Sequence, residues 1–469
     1  MHRRLLVLAA LLWSTWIPAA DWPRFLGPTV NAVSPETGLL TTIPTNGPAK
    51  VWVREIGTGY AAPSVQGRRL VLFHRLKNRE IVECLEASTG KTLWLHEDPT
   101  SYQDPYGYNN GPRCTPLLTA DRCYTFGAEG RLLCLKLEDG SVVWQRETSR
   151  DFEVPQAFFG VGSTPILEGD KLIAMLGGQP NSGVVAFDAT TGKTLWESVG
   201  KNCWDGVTAI GWRGELPYRW TGVEKSTSYS SPIAATINGK RHVFCLMRQG
   251  LASVDPADGK VNFVRWFQSQ VNDSVNAMTP VIFEDQVLLS ATYYRVGSVL
   301  LRVKPDGLGY DEVWRHPKSP AERDPVTQGF VQPTLEMHWA QPILIDGLLY
   351  GFSGRNEPDA SFRCVEFKTG ALRWERNERW GHPSFGEKAQ PNVFGRGSLI
   401  LADGRLIALG EGGLLGMFKP DGGVCVELGR WQVPELHYPC WAGPVLSERR
   451  LYARSEDHLV CLDLAAKTP

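Results

Sequence analysis

The nine-residue stretch Asp188-Ala-Thr-Thr-Gly-Lys-Thr-Leu-Trp196 recurs in imperfect copies from one end of the chain to the other, and this repetition limits the fold more than any other feature. The copies are 86–94, 136–144, 255–263 and 366–374, and looser ones end at Trp314 and Trp431. Each reads as strand, tight turn, strand. A polar residue before Gly supplies the turn and its positive φ, and an apolar or β-branched run ending in Trp or Phe follows. An aromatic at a fixed place in every unit predicts a docking contact between neighbouring units.

Further strands fill the spaces between the copies. Pro63, Pro116, Pro165, Pro232, Pro280, Pro342 and Pro444 each open a short apolar strand, and Leu399 stands in the same place without its proline, which makes eight starts. Four short strands per unit at a period near fifty residues is the pattern of a propeller blade, so the expected fold is an all-β, eight-bladed β-propeller. The eighth unit runs out after Leu464 without a fourth strand, while a lone strand, 50–56, precedes the first unit. The lone strand is expected to complete the last blade and remove an open sheet edge. The domains are therefore read as a strap over 21–49 and a propeller over 50–469.

Residues 1–20 have a basic start, an apolar run from Leu5 to Leu12 and a small-residue end at Ala19-Ala20, the pattern of a cleaved signal peptide. A periplasmic or secreted protein is expected, with no membrane span. The formal net charge is −1, and loss of Arg3 and Arg4 with the leader removes two positive charges to leave −3. Such a balance gives no electrostatic case for nucleic acid or an anionic membrane. Of ten cysteines, Cys84, Cys134, Cys364 and Cys461 occupy one strand position in different units, too far apart to bond, and are read as small buried residues. Cys114, Cys123, Cys203, Cys245, Cys425 and Cys440 could include a bridge that the sequence does not identify.

Function belongs to the links that return from each fourth strand to the next first strand across one face. The long ones, 95–114, 145–163, 197–230, 315–340 and 375–397, hold Tyr102, Asp104, Tyr106, Tyr108, Asn109 and Asn110; Trp204, Asp205, Arg219 and Trp220; and Trp380, His382 and Phe385. The position three before each blade start gives a ring of Tyr60, Arg113, Gly162, Tyr229, Ala277, Trp339, Arg396 and Trp441. Its six aromatic and Arg members, Tyr60, Arg113, Tyr229, Trp339, Arg396 and Trp441, are the residue types of binding hot spots and are the expected channel-mouth site for an anionic or planar ligand. The competing account is that they merely pack the mouth. Asp188, Asp255 and Asp258 sit in Gly turns and are read as turn formers rather than calcium ligands. His338, His382 and His437 have no metal-ligand spacing, so neither a metal site nor a catalytic residue is assigned. No His-Glu-x-x-His, Gly-x-Ser-x-Gly or phosphate-loop motif occurs.

The Asp-x-x-Thr-Gly-Lys-x-x-Trp units, with Cys-Leu at 84, 134 and 461 ahead of the turn, resemble those of bacterial PQQ-like repeat propellers, of the quinoprotein alcohol dehydrogenase-like superfamily. The resemblance covers about residues 50–464. The opening Trp22-Pro-Arg-Phe-Leu-Gly-Pro is similar to that of secreted members. It implies the propeller, and two kinds of function: quinone-dependent alcohol oxidation or a non-catalytic scaffold such as the propeller subunit of outer-membrane protein assembly. The adjacent cysteines of the methanol-oxidising type and the Cys-x-x-Cys-His of quinohaemoproteins are not in this sequence, nor is a lipid-anchor cysteine after the leader. The expectation is a monomeric, non-catalytic binding or scaffold propeller that engages a protein or glycan partner and needs no cofactor. The alternative is a divergent dehydrogenase using PQQ with calcium.

Overall fold

The computed structural model describes residues 20–155, 158–204, 209–210, 218–219, 229–268, 274–355, 360–377 and 393–466. The expected leader, apart from Ala20, lies outside the described residues. Eight four-stranded antiparallel sheets form an eight-bladed propeller. First strands begin at Ser64, Leu117, Ile166, Ile233, Val281, Ile343, Ser398 and Val445. Seven lie one residue after the sequence-read start and one lies one residue before it.

Burial explains the composition of each strand. Second and third strands are largely buried between neighbouring blades, and several second strands carry unbroken apolar runs, as in Leu70–Phe73, Leu172–Met175 and Leu406–Leu409. Fourth strands such as Thr92–Pro99 lie at the rim and mix buried with exposed positions. Facing each repeat Trp across the ladder is Cys84, Cys134, Ala186, Cys364 or Cys461, with Leu at two further blades. The four cysteines are buried there. Of the six whose pairing the sequence left open, Cys114, Cys123, Cys245 and Cys440 are buried thiols not joined in a disulfide.

The repeat Trp and the repeat Gly are the two halves of one contact. Trp94 of blade 1 donates its indole N–H to Leu137 O in blade 2, at 3.0 Å, and its ring covers Gly140. Trp144, Trp196, Trp314 and Trp374 make the same bond to Ala189, Pro256, Phe367 and Asp421 of the next blade, at 2.9 to 3.1 Å. A Cβ on Gly140 would stand 2.4 Å from the Trp94 ring, and φ there is +73°. Only glycine satisfies both demands. Blade 4 has Phe263 in the Trp position, its ring tilted against Tyr310 at 5.4 Å instead.

The ring closes with the N-terminal strand Ala49–Glu55, which pairs with His458–Asp463 as the fourth strand of blade 8. It brings its own copy of the contact. Trp52 donates to Ala87 O at 3.0 Å and lies on Gly90 of blade 1, while Trp431 of blade 7 lies on Gly47, just ahead of the closing strand. The strap crosses the face opposite the long links. It bridges to Val65 in blade 1, Leu401 in blade 7 and Ala465 beyond blade 8, and residues 29–33 enclose a cavity of about 290 Å³ with the first strands of blades 4 to 6. Asp188, Asp255 and Asp258 accept turn amides two or three residues on, as turn formers do.

Truncating the indole of Trp52 should cost about 3 kcal/mol, as for a core Trp. Trp52→Ala and Trp94→Ala are therefore expected to lower the urea midpoint by similar amounts, and removal of residues 21–55 to lower it further. A Trp52→Ala protein as stable as wild type would mean that the last blade does not close on the first.

Candidate functional site

The long links and the turns between second and third strands share one face. Fourth strands run further than the sequence reading allowed, to Pro99, Glu147, Ser198, His316 and Asn377, and so take up the first residues of each link. A fourth strand bonded to its neighbour is cheaper than a free loop with unpaired amides. Asp205, Trp220, Trp380, His382 and Phe385 lie outside the described residues, as does the side chain of Arg219. Trp204 is not a surface residue as expected. It is buried against Trp266, 5.5 Å away, between blades 3 and 4.

The six expected mouth residues occupy one continuous chain of contacts. Arg396 lies over the Trp339 ring at 4.5 Å and the Trp441 ring at 5.4 Å, and the two indoles are 5.1 Å apart. Trp441 packs on Tyr60 at 4.9 Å, and Arg113 lies over Tyr60 at 5.5 Å. The chain continues from Arg113 over Phe159, at 5.8 Å, to Tyr229, which is 5.2 Å from Phe159 and accepts its backbone N–H at 2.6 Å. Gly162 leaves room for Tyr229, since a Cβ there would meet the phenol ring at 2.5 Å. All six side chains are partly exposed. Tyr106 and Tyr108, half exposed, extend the surface through contacts with Phe159 and Trp441.

Both arginines are neutralised from below. Arg396 grips Glu411 with Nε at 3.1 Å and Nη2 at 2.8 Å, and its backbone N–H adds a bond at 2.6 Å. Trp441 Nε1 donates to the same carboxylate at 2.6 Å. Arg113 Nη2 donates to Asp104 at 2.8 Å, and Asp104 also accepts the amides of Tyr106 and Asn109. The side chains of Glu411 and Asp104 are 0% exposed. The belt therefore presents aromatic faces and the flat sides of paired guanidiniums, and little net charge. Burial and Glu456 push the Tyr60 phenol far above its ordinary range, so it stays protonated.

Phe159 and Glu411 were not singled out from the sequence. Phe159 supplies the aromatic of blade 3 three residues ahead of the ring position, where Gly162 stands. Glu411, set between Gly410 and Gly412, had a readable signal: a carboxylate in a glycine-rich turn where a close approach is needed. His338 packs 4.5 Å from Trp339 and 5.4 Å from Tyr293, and its buried Nδ1 has no hydrogen-bond partner among the described residues. Lost hydration and the nearby Arg396 and Arg355 hold its pKa well below the ordinary 6.5. His437 lies instead beside Asp457 and His458.

Comparison with known proteins places this geometry. The family profile for the outer membrane protein assembly factor BamB, PQQ_2, matches residues 78–331, more than half of the chain. No curated protein matches in sequence. Among solved structures, quinohemoprotein alcohol dehydrogenase from Comamonas testosteroni superposes with a TM-score of 0.60 at 13% identity, over 96% of this chain and 81% of that one. A europium-containing methanol dehydrogenase gives 0.60 at 12% identity, over 94% and 89%. BamB from Moraxella catarrhalis gives 0.53 at 12%, over 90% and 99%. At these identities the likeness is one of fold.

Two measurements follow from the belt. Glu411→Ala strands a largely buried guanidinium and should cost about 3 kcal/mol, while Glu411→Ala with Arg396→Ala should cost clearly less than the sum of the single changes; additive losses would mean the pair is not coupled. For His338 the folded-state pKa lies below the unfolded one, so its contribution is present above pH 6.5 and falls as the unfolded chain takes up the proton, by up to about 1.4 kcal/mol per pH unit. Urea midpoints near pH 7 and near pH 5 should converge in His338→Gln relative to wild type.

Proposed function

Because this chain belongs to the PQQ_2 (outer membrane protein assembly factor BamB) family, we propose that it is a non-catalytic extracytoplasmic binding propeller, whose aromatic belt engages a protein or glycan partner. The single observation that carries this reading is the state of the two mouth arginines. Each is already paired with a fully buried carboxylate, so the belt has stacking surface to offer and little unspent charge. A planar or apolar group, such as a partner's aromatic side chain or the flat face of a sugar ring, suits such a surface better than a simple anion does. The half-exposed Tyr106 and Tyr108 would widen the contact. The signal peptide read from the sequence supports export to the periplasm or beyond.

The dehydrogenase alternative would require PQQ, a planar tricarboxylate, with calcium at the same mouth. That pair needs a slot between ring faces, donors not yet engaged, and carboxylate oxygens open to the ion. Among the described residues the fit is poor. Tyr60, Trp441 and Trp339 rest on one another at 4.9 and 5.1 Å, and the oxygens of Glu411 and Asp104 are taken up by the protein's own donors. This disagreement supports the binding reading.

Isothermal titration with PQQ and calcium, followed by a dye-linked alcohol oxidation assay, should give neither binding heat nor turnover. Micromolar binding with turnover would replace the proposal by the dehydrogenase. On peptide and glycan arrays, Trp441→Ala should reduce the wild-type signal by at least about tenfold; equal signals from both proteins would take the belt out of the reading.

A further inference from the structure

On the same face as the belt, where blade 8 closes the ring, His437, Asp457 and His458 gather their ligand atoms within 4.8 Å of one another. His437 comes from the link between blades 7 and 8. Asp457 comes from the turn between the second and third strands of blade 8, and His458 opens the third strand. His437 Nε2 is 3.1 Å from Asp457 Oδ2, and His458 Nδ1 is 3.0 Å from Asp457 Oδ1. The second approach is an ion-pair contact without hydrogen-bond geometry, and among the described residues this buried ring nitrogen has no hydrogen-bond partner.

We propose that these three residues bind a divalent transition ion of the zinc type. Two imidazoles and one carboxylate are a borderline-soft donor set, suited to zinc, nickel or copper and poorly suited to calcium or magnesium, which take oxygen ligands. At metal–ligand bonds of about 2.0 to 2.2 Å in a tetrahedron, ligand atoms stand about 3.3 to 3.6 Å apart. Each imidazole nitrogen already stands near that distance from one of the two Asp457 oxygens. His437 is exposed enough to swing its nitrogen inward, and the fourth position is open to water on the solvent side.

The ion would join two parts of the fold. The Asp457 carbonyl accepts the amide of Ile56, next to the closing strand Ala49–Glu55, and Glu55 pairs with His458 across the ladder. On the other side, Tyr438 follows His437 and packs 5.9 Å from Trp441 of the belt. A bound ion would therefore fasten the last link of the propeller to its closing blade, beside the mouth.

Titration of the full chain with zinc chloride should show one ion bound per chain and a rise in the thermal unfolding midpoint. His437→Ala and His458→Ala should each weaken binding at least about tenfold and remove the midpoint rise. Metal-free unfolding midpoints near that of wild type would show that both variants fold. No heat and no midpoint shift with wild type up to millimolar zinc would overturn the proposal, as would binding undiminished by either substitution. An equal response to calcium chloride would overturn the assignment of ion class.

Discussion

The structure depends on an indole laid across a glycine of the next blade. The contact fixes spacing and order at once: the carbonyl beside the glycine turn accepts the indole N–H, and the flat ring sets how closely neighbouring blades approach. Because it recurs around most of the ring, each blade is held by a neighbour on either side and none needs to be stable alone. The blade that lacks the Trp, blade 4, substitutes a tilted ring contact between Phe263 and Tyr310, which keeps apolar contact while giving up the hydrogen bond. The closing strand was given the same device, with Trp52 facing forward to Gly90 and Gly47 facing back to Trp431.

This dependence explains what could be read from the sequence. A Gly and a Trp at fixed spacing are local, so the copies, the eight starts and even the role of strand 50–56 were legible before any geometry. The order of residues round the mouth was legible too, because blade starts supply a common origin for counting. Counting failed where the chain departs from the common offset, as at Phe159, and where the key atom sits in another turn of the blade, as with Glu411. Nor could it show that both mouth arginines have carboxylate partners, since Arg396 and Glu411 meet only when two different connections fold over each other. The same holds for His437, whose neighbours Asp457 and His458 come from the next blade.

Within the mouth, the carboxylates act on the aromatics through the arginines. Glu411 receives a guanidinium, a backbone amide and an indole N–H, so one buried acid orients Arg396 and Trp441 together. Asp104 does the same for Arg113 and the backbone from Tyr106 to Asn109. Rings held in this way lose little freedom on meeting a partner, which is the main cost that a preorganised surface avoids.

The pairing of the strand at 49–55 with the one at 458–463 also governs when the molecule can become whole. The closing strand precedes its partner by about 400 residues and so emerges well before it in synthesis. Until then the first strands have only their own blade neighbours, and the edge at Ala49–Glu55 stays open to pairing with other chains. Local hairpins can form early, but the step that seals the ring joins strands about 400 residues apart in sequence, a slow kind of contact for a chain to find. The complete propeller is thus a late product of folding, and loss of either strand would remove the same seam.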